Sequence, residues 1–261
     1  MDYTKLNCPP FPADEDKMIN STRIRVARNL AKYPLGTAVT RQERLEIENL
    51  VTSALSEFTG ELKGKYYSLG KMTEDEKKQL IADHFLFKGG DKYLDSAGLE
   101  RDWPEGRGIF HNDNKTFLVW VNEEDQLRII SMQNGSDIGA VFKRLATAAN
   151  LIEQKAEFAK DDHLGYISTC PTNLGTGLRA SVHIHLPKLN KNKDLHESIA
   201  SKYFVQIRGI HGEHSESSDG TYDISNRHRL GKGERSLVQE MYAGVHEMIR
   251  VEKELQAATK K

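Results

Sequence analysis

The nine residues LRASVHIHL at 178–186 alternate strictly between apolar and polar side chains. In an extended strand successive side chains point to opposite faces, so this stretch would have one basic face and one apolar face. The basic face would hold Arg179, Ser181, His183 and His185, and the apolar face Ala180, Val182, Ile184 and Leu186. The alternation therefore predicts a half-buried strand with hydrogen-bond donors along its open face.

Similar reasoning predicts the other elements of the chain. Segments rich in β-branched and aromatic residues indicate strands at 116–122, 126–133, 164–169, 178–186 and 203–209. Apolar residues at helical spacing indicate helices at 39–58, at 73–82 after a cap at Thr73, at 136–159 and at 232–258. Long helices mixed with strands and short turns predict an α+β fold with helices on a largely antiparallel sheet. Residues 1–20 contain several prolines and are expected to form an irregular leader.

Charge and hydropathy exclude several classes of function. Lys and Arg number 37 against 38 Asp and Glu, a formal charge of −1, so no nucleic-acid partner is predicted. The longest apolar runs, such as FLVWV at 117–121, are too short to span a bilayer, and the N-terminus MDYTKLN does not resemble a secretion signal. No membrane association is predicted, and a cytoplasmic protein is expected. With only Cys8 and Cys170, a disulfide framework is not expected.

The chain lacks the common phosphate-binding loops. The nearest match, GELKGKY at 60–66, has the wrong glycine spacing and has Tyr66 where a Ser or Thr should follow the lysine. The protein-kinase motifs are absent as well. Nucleotide phosphates would have to be held by side chains, and arginines suit this role as well as they suit surface salt bridges. The candidates are Arg23, Arg25, Arg28, Arg128, Arg179 and Arg208.

Two acidic segments and one cysteine are further candidates for chemistry. The spacing between the strands at 116–122 and 126–133 predicts an antiparallel hairpin with the acidic tip NEED at 122–125. The segment HGEHSES at 211–217 offers metal-ligand side chains, but no zinc pattern is completed, and a lid over a substrate is favoured. Cys170 lies at a predicted strand-to-loop boundary, where it is either a small core residue or a reactive thiol near Thr172.

Together these segments resemble the phosphagen kinases, the ATP:guanidino phosphotransferases, and among them the arginine kinases. The resemblance rests on STRIRVARN at 21–29, NEED at 122–125, CPTNLGT at 170–176, RGIHGEHSES at 208–217 and YDISNRHRLG at 222–231. It implies one catalytic domain over 21–261, with a saddle-shaped, largely antiparallel sheet flanked by helices, a glutamine-synthetase-like fold. Because family members usually begin with a small helical domain and residues 1–20 alone precede STRIRVARN, that domain is expected to be absent.

The resemblance also implies roles for individual residues. Glu124 and Glu213 match the carboxylates that grip the guanidinium, with Glu124 as the base, and Cys170 matches the thiolate beside its nitrogens. The nucleotide would be bound by Ser21, Arg23, Arg25, His84, Arg128, Arg179, Ser181, His183, Arg208 and Asp223. A lid would include Ile210, His211, Gly212 and His214. Mg²⁺ would be held mainly by ATP phosphates and water, with no protein ligand assigned.

The expected activity is reversible transfer of the γ-phosphoryl group of MgATP to free L-arginine, which gives phosphoarginine and ADP. Glu213 favours arginine over creatine as the acceptor. Taurocyamine and lombricine kinases share much of the pattern, and bacterial protein-arginine kinases have similar loops, so these acceptors stay open as alternatives. A nucleotide-binding module without turnover is a further alternative. The expected partners are ATP or ADP and a guanidino small molecule, in a monomer or a homodimer.

Overall fold

A computed structural model describes residues 1–209 and 219–259. The helices are α1 (Ala13–Asp16), α2 (Arg41–Ser56), α3 (Glu74–Ala82), α4 (Lys92–Ser96), α5 (Ile138–Glu153), α6 (Lys193–Lys202) and α7 (Glu234–Thr259). The strands are β1 (Ile19–Arg28), β2 (Gly64–Ser68), β3 (Gly108–Asn112), β4 (Phe117–Val121), β5 (Leu127–Asn134), β6 (Lys160–Asp161), β7 (Gly165–Tyr166), β8 (Leu178–His185), β9 (Val205–Gly209) and β10 (Thr221–Asn226). The chain divides into two compact units. The first unit comprises Met1, Arg25–Ser131 and Arg144–Gly177, and the second comprises Asp2–Ile24, Met132–Lys143 and the described residues from Leu178 onward.

The sheet of the first unit has the order β2-β3-β4-β5 and then residues 25–28 of β1. The pairs β2–β3, β3–β4 and β4–β5 are antiparallel. All five residues of β4 are buried, which shows that both faces of this strand are covered. The ring of Phe58, just beyond α2, contacts the rings of Phe110 and Phe117 at 5.8 and 6.0 Å between centroids. These contacts anchor the end of α2 to the central strands.

In the second unit the strand order of the sheet is β1-β8-β10-β9, with β1 contributing residues 19–24. The pairs β8–β10 and β9–β10 are antiparallel. Helix α7 contacts β8 and β10, and α6 contacts β9. The apolar face of α7, which includes Leu237, Met241, Val245 and Met248, is fully buried. The predicted α+β fold, with a largely antiparallel sheet flanked by helices, is confirmed.

Most of the predicted elements are found, with shifted ends. The helix predicted at 39–58 is α2, the helix at 232–258 is α7, and α3 follows a capping box in which Thr73 and Glu76 bond reciprocally. The strands predicted at 116–122, 126–133, 178–186 and 203–209 are β4, β5, β8 and β9.

Two predicted extents were wrong, each for a reason visible in the backbone hydrogen bonds. The helix predicted at 136–159 ends at Glu153, because Phe158 forms a bridge with Leu30 and the next amide, of Ala159, donates to the Asn29 carbonyl at 2.7 Å. The strand predicted at 164–169 is reduced to Gly165–Tyr166. Its later amides bond to different parts of the first unit instead of to one neighbouring strand.

Several elements were not predicted. They are α1, α4, α6, β1, β2, β3, β6 and β10. Strand β1 begins at Ile19, inside the segment expected to be irregular. Strand β2 (GKYYS) is short and carries Gly and Lys, and β10 (TYDISN) carries Asp and Asn, which strands generally disfavour. Pairing with buried neighbours compensates for these weak local preferences.

Candidate functional site

The open face of β8 has the predicted composition. Ala180, Val182 and Ile184 are fully buried, whereas Arg179 and His183 are half-buried on the opposite face. Ser181 shares that face but is itself buried, since it pairs with Ser225 of β10 and its hydroxyl lies 3.5 Å from the Arg23 carbonyl. The face of β8 that carries Arg179 and His183, which we call the basic row, is therefore polar, and the opposite face is apolar and buried.

Asp223 is the acidic centre of this row. In the strand register it lies opposite His183 on one side and Arg208 on the other. Its carboxylate accepts a hydrogen bond from Arg179 at 3.0 Å and lies 3.7 Å from the His183 ring. Burial alone would raise the pKa of Asp223, but His183, Arg179 and Arg208 outweigh burial and lower the pKa. Asp223 therefore stays ionised and helps to fix the neighbouring cationic side chains.

A further arginine, Arg229, adds to the positive charge near this row. Its guanidinium donates to the carbonyls of Asn226, Arg227 and His228. Burial, together with the charges of Arg179 and Arg208, lowers the pKa of Arg229 to about 10. Sequence analysis did not select Arg229, although it lies within the quoted motif YDISNRHRLG. The charges of Arg179, Arg208 and Arg229 interact with one another, and this concentration of positive charge suits an anionic ligand.

Other candidate nucleotide residues lie on β1 and after α3. Along β1, the half-buried Ser21, Arg23 and Arg25 alternate with buried residues. His84 is exposed and has φ 60° two residues after the end of α3, where the left-handed backbone ends the helix. Glu213, Ile210, His211, Gly212 and His214 lie outside the described residues.

The predicted acidic hairpin is present in the first unit. Strands β4 and β5 are antiparallel, and the Asn122 amide donates to the Gln126 carbonyl at 2.9 Å to close the turn. The Asn122 side chain donates to the carbonyls of Arg44 and Gly106 at 3.1 and 2.7 Å. A Cβ atom on Gly36 would lie 2.7 Å from Leu99 Cδ2 and 3.0 Å from the Glu124 carbonyl oxygen, so glycine fits here without displacing a neighbour. The turn is therefore enclosed by backbone on several sides.

Arg128 binds both glutamates of this turn. Its guanidinium donates to Glu124 at 2.8 Å and lies 3.1 Å from a Glu123 oxygen. Burial raises the pKa of Glu124, opposed by the charge of Arg128 and reinforced by those of Asp125 and Glu123. Burial of Arg128 disfavours its charge, but the three carboxylates outweigh burial and raise its pKa. Arg128, predicted to bind nucleotide, is thus also the immediate partner of the predicted base.

Cys170 lies in a segment that is tied to this turn. The amide of Thr169, the preceding residue, donates to the Asp125 carboxylate at 2.7 Å. The Cys170 thiol lies 3.0 Å from the Thr172 hydroxyl, and the Cys170 carbonyl accepts from Ser168. Asp125 itself was not selected from the sequence, although it is the last letter of NEED. Its role depends on a contact 44 residues away along the chain, which no local pattern reveals.

Arg28 is the most deeply buried of the candidate arginines, at 1% exposure. Its guanidinium lies 3.5 Å from the centre of the Tyr166 ring and donates to the carbonyls of Ala27 and Thr176, each at 2.7 Å. These contacts support the glycine-rich turn that follows Cys170 and give Arg28 a structural role.

The structure thus brings the predicted residues into two groups, each within one unit. Glu124, Arg128 and the Cys170 segment form one group, and Arg179, His183, Arg208 and Asp223 form the other. In residues 1–209 and 219–259 there is no group of three or more His, Cys, Asp or Glu side chains that could hold a metal ion. No helix within these same ranges has the length and hydropathy needed to cross a membrane.

Known proteins resemble this chain in sequence and in structure. Residues 46–255 match the model of the ATP:guanido phosphotransferase C-terminal catalytic domain. An arginine kinase of Anthopleura japonica is 55% identical over 92% of the chain, and one of Carcinus maenas is 53% identical over 93%. The chain spans 34% of the Anthopleura protein and 68% of the Carcinus protein.

Solved structures give the same family. A crystal structure of lombricine kinase covers 98% of the chain with a TM-score of 0.93 and 43% identity, and the chain covers 71% of that structure. The duplicated taurocyamine kinase of Schistosoma mansoni covers 97% with a TM-score of 0.87 and 44% identity, and the chain covers 35% of it. The chain belongs to the ATP:guanido phosphotransferases, whose C-terminal catalytic domain it contains.

Proposed function

We propose that this chain transfers the γ-phosphoryl group of MgATP reversibly to L-arginine. The observation that carries the choice of acceptor is the identity of 52% or more to arginine kinases over 92–93% of the chain. In the reaction, a guanidino nitrogen forms a bond to the γ-phosphorus while the bond to the ADP oxygen breaks. The nitrogen loses one proton, and ADP and phosphoarginine are the products.

The basic row of the second unit supports binding of the nucleotide phosphates. Phosphoryl transfer spreads negative charge over the transferred group, and fixed cations stabilise that charge without reorganising. Arg179 is held by Asp223, and Arg208 by the Gln206 side chain at 2.9 Å, so both guanidinium groups are oriented in advance. Ser21, Arg23, Arg25, His84, Arg128, Ser181 and His183 keep the nucleotide-binding roles that the sequence resemblance implies.

The acidic turn supports binding of the guanidino group. A guanidinium is a weak nucleophile because it is charged and delocalised, so a carboxylate must orient it and accept its proton. Glu124 suits this role because burial raises its pKa above the usual range of a glutamate. Cys170 would orient the substrate nitrogens without forming a covalent intermediate. Glu213 is proposed as the second carboxylate, and the lid residues 210–212 and 214 keep their proposed role.

Magnesium fits this site as part of the substrate MgATP. The carboxylate of the basic row, Asp223, is already bound to Arg179, and the described residues offer no further group of metal ligands. We propose that phosphate oxygens and water hold the ion, because Mg²⁺ loses its water ligands reluctantly. The ion would supply additional positive charge at the transferred phosphate.

The proposal is tested by ³¹P NMR of the purified chain with MgATP and L-arginine. A new phosphorus–nitrogen resonance that grows with ADP in equal amount supports arginine kinase activity. Samples without acceptor, and samples with lombricine, taurocyamine or an arginine-rich protein, identify the acceptor. A resonance with one of these compounds and none with arginine would show that this compound, and not arginine, is the acceptor. ATP binding without any transfer would identify a silent nucleotide-binding module.

A further inference from the structure

A buried network of polar side chains joins the Glu124 turn to the Cys170 segment. Its members are Asn29, at the end of β1, and Asp125 and Gln126, in the β4–β5 turn. Each of the three residues is 1% exposed. All of them lie in the first unit. Because buried polar groups are costly unless they are hydrogen-bonded, such a network has one strongly preferred geometry.

Asn29 lies at the centre of this network, and both the nitrogen and the oxygen of its side chain form hydrogen bonds. Its nitrogen donates to the Asp125 carboxylate at 2.8 Å and to the Ile167 carbonyl at 3.1 Å. Its oxygen accepts from the backbone amide of Gln126 at 2.9 Å. One side chain therefore bonds both to the turn that carries Glu124 and to the segment that leads to Cys170.

The other contacts of the network lock these two parts together. The Asp125 oxygen that accepts from Asn29 also accepts from the Thr169 amide at 2.7 Å, and Thr169 precedes Cys170. Gln126 accepts from the Leu30 amide at 2.8 Å and donates to the Pro34 carbonyl at 2.7 Å. The turn cannot shift relative to the Cys170 segment without breaking several buried hydrogen bonds.

We propose that Asn29 is a positioning residue that sets the geometry of Glu124 relative to Cys170. Asn29 touches neither proposed substrate-binding side chain and acts through Asp125, Gln126 and Ile167. A displacement of about 1 Å in reacting groups can lower turnover about 100-fold, so fixing this geometry has a direct effect on rate. The inference concerns arginine turnover and in that respect rests on the proposed function. Its effect on the Cys170 thiol does not depend on turnover.

The test compares Asn29→Ala with Asn112→Ala. Asn112 is fully buried and its side chain takes part in four hydrogen bonds, but it is the last residue of β3, away from this network. Both variants lose a buried amide and are expected to lower the Tm. Asn29→Ala is expected to lower kcat by about 10- to 100-fold and to raise the KM for arginine more than that for MgATP, whereas Asn112→Ala leaves both close to wild type.

The second readout is the rate at which iodoacetamide alkylates Cys170 in the absence of substrates, followed by mass spectrometry of the Cys170 peptide. Cys8, in the second unit, reports on global opening in the same sample. Asn29→Ala is expected to change the Cys170 rate several-fold and to leave the Cys8 rate unchanged. An unchanged Cys170 rate, or the same change in Asn112→Ala, overturns the inference.

A charge exchange controls for loss of folding. Asn29→Asp keeps the side-chain shape but places a carboxylate against Asp125, so it should be worse than Asn29→Ala. Adding Asp125→Asn restores an amide–carboxylate pair with reversed roles and should recover part of the wild-type Cys170 rate. Failure of the exchange to recover any of this rate counts against the proposal. If wild type does not phosphorylate arginine, the proposed function is overturned, and the thiol rates still decide the role of Asn29.

Discussion

At the scale of single residues, the reactivity of the acidic turn depends on the balance between burial and one arginine. Burial favours the protonated form of Glu124, while Arg128, 2.8 Å away, favours the ionised form. The net direction is upward, so Glu124 is a stronger base than an exposed glutamate. The cost of burying Arg128 is offset because three carboxylates surround it.

This balance predicts the pH dependence of turnover. As the proposed base, Glu124 would accept the proton in its ionised form, so kcat should rise with pH through a pKa above the ordinary glutamate value. Glu124→Gln should lower kcat by about 100-fold or more and change the KM for MgATP little. It should also remove the rise of kcat with pH, which is the acid limb of the pH profile. Initial rates between pH 5 and 9 provide the measurement.

Glu123→Gln is the matched control for this prediction. Glu123 lies on the same turn and also pairs with Arg128, at 3.1 Å. Its replacement should keep the acid limb, moved to lower pH, since one neighbouring negative charge is lost. Loss of the limb in both variants would show that Glu124 is not the base.

The sequence suggested candidate charged residues, but not those that hold them in place. Glu124, Arg179 and Asp223 stand in recognisable motifs, and the structure places Glu124 beside Arg128 and Asp223 beside Arg179. Asn29 and Arg229 lie inside quoted motifs as well, yet their contacts were not predictable. Buried hydrogen bonds between distant segments depend on tertiary structure, which periodicity does not report.

At the scale of elements, α7 and α6 are joined by a buried carboxylate beside a histidine. Glu252 of α7 accepts from the amides of Lys188 and Leu189 at 2.9 and 2.8 Å, which supports the short 3₁₀ helix before α6. His196 of α6 is buried against the Tyr222 ring. Burial lowers the pKa of His196 to about 4, although Glu252 opposes this change. The fold therefore favours neutral His196.

This lowered pKa predicts acid sensitivity. The unfolded chain binds a proton on His196 below about pH 6.5, whereas the folded chain binds it only near pH 4, so stability falls as pH decreases through this window. The loss amounts to roughly 3 kcal/mol at the lower end. The free energy of unfolding, measured with urea between pH 4 and 7, should change less with pH for His196→Leu than for wild type. His163→Leu, which removes an exposed histidine, should retain the wild-type slope, and equal slopes in all three proteins would contradict the prediction.

Elements with strong local signals were predicted correctly, and elements defined by their partners were not. Helix α3 has a full capping box, and β4 is a continuous apolar run, so both are visible in the sequence. Strand β2 is defined by its pairing with β3, and the segment after β7 uses its amides on scattered partners. Such elements are set by the tertiary fold, which overrides weak local propensity.

At the scale of the whole molecule, the charge balance affects solubility. The formal charge of −1 is calculated with neutral histidines, and the chain has ten of them. Protonation of a few histidines just below neutral pH takes the net charge through zero, where self-repulsion is weakest. We expect a solubility minimum slightly below pH 7, measured by polyethylene glycol precipitation. Lys78→Glu, at an exposed position of α3, should move the minimum to lower pH, and an unmoved minimum would contradict this explanation.

The Asn29 network also has a consequence for how the molecule folds. Its hydrogen bonds join residues separated by 96, 97 and 44 positions along the chain. Closing such long loops is entropically costly, so contacts of this kind form late compared with local helices. A refolding chain should therefore regain its helical signal before Glu124 and Cys170 reach their final geometry. The proposed activity should accordingly return later during refolding than the helical signal.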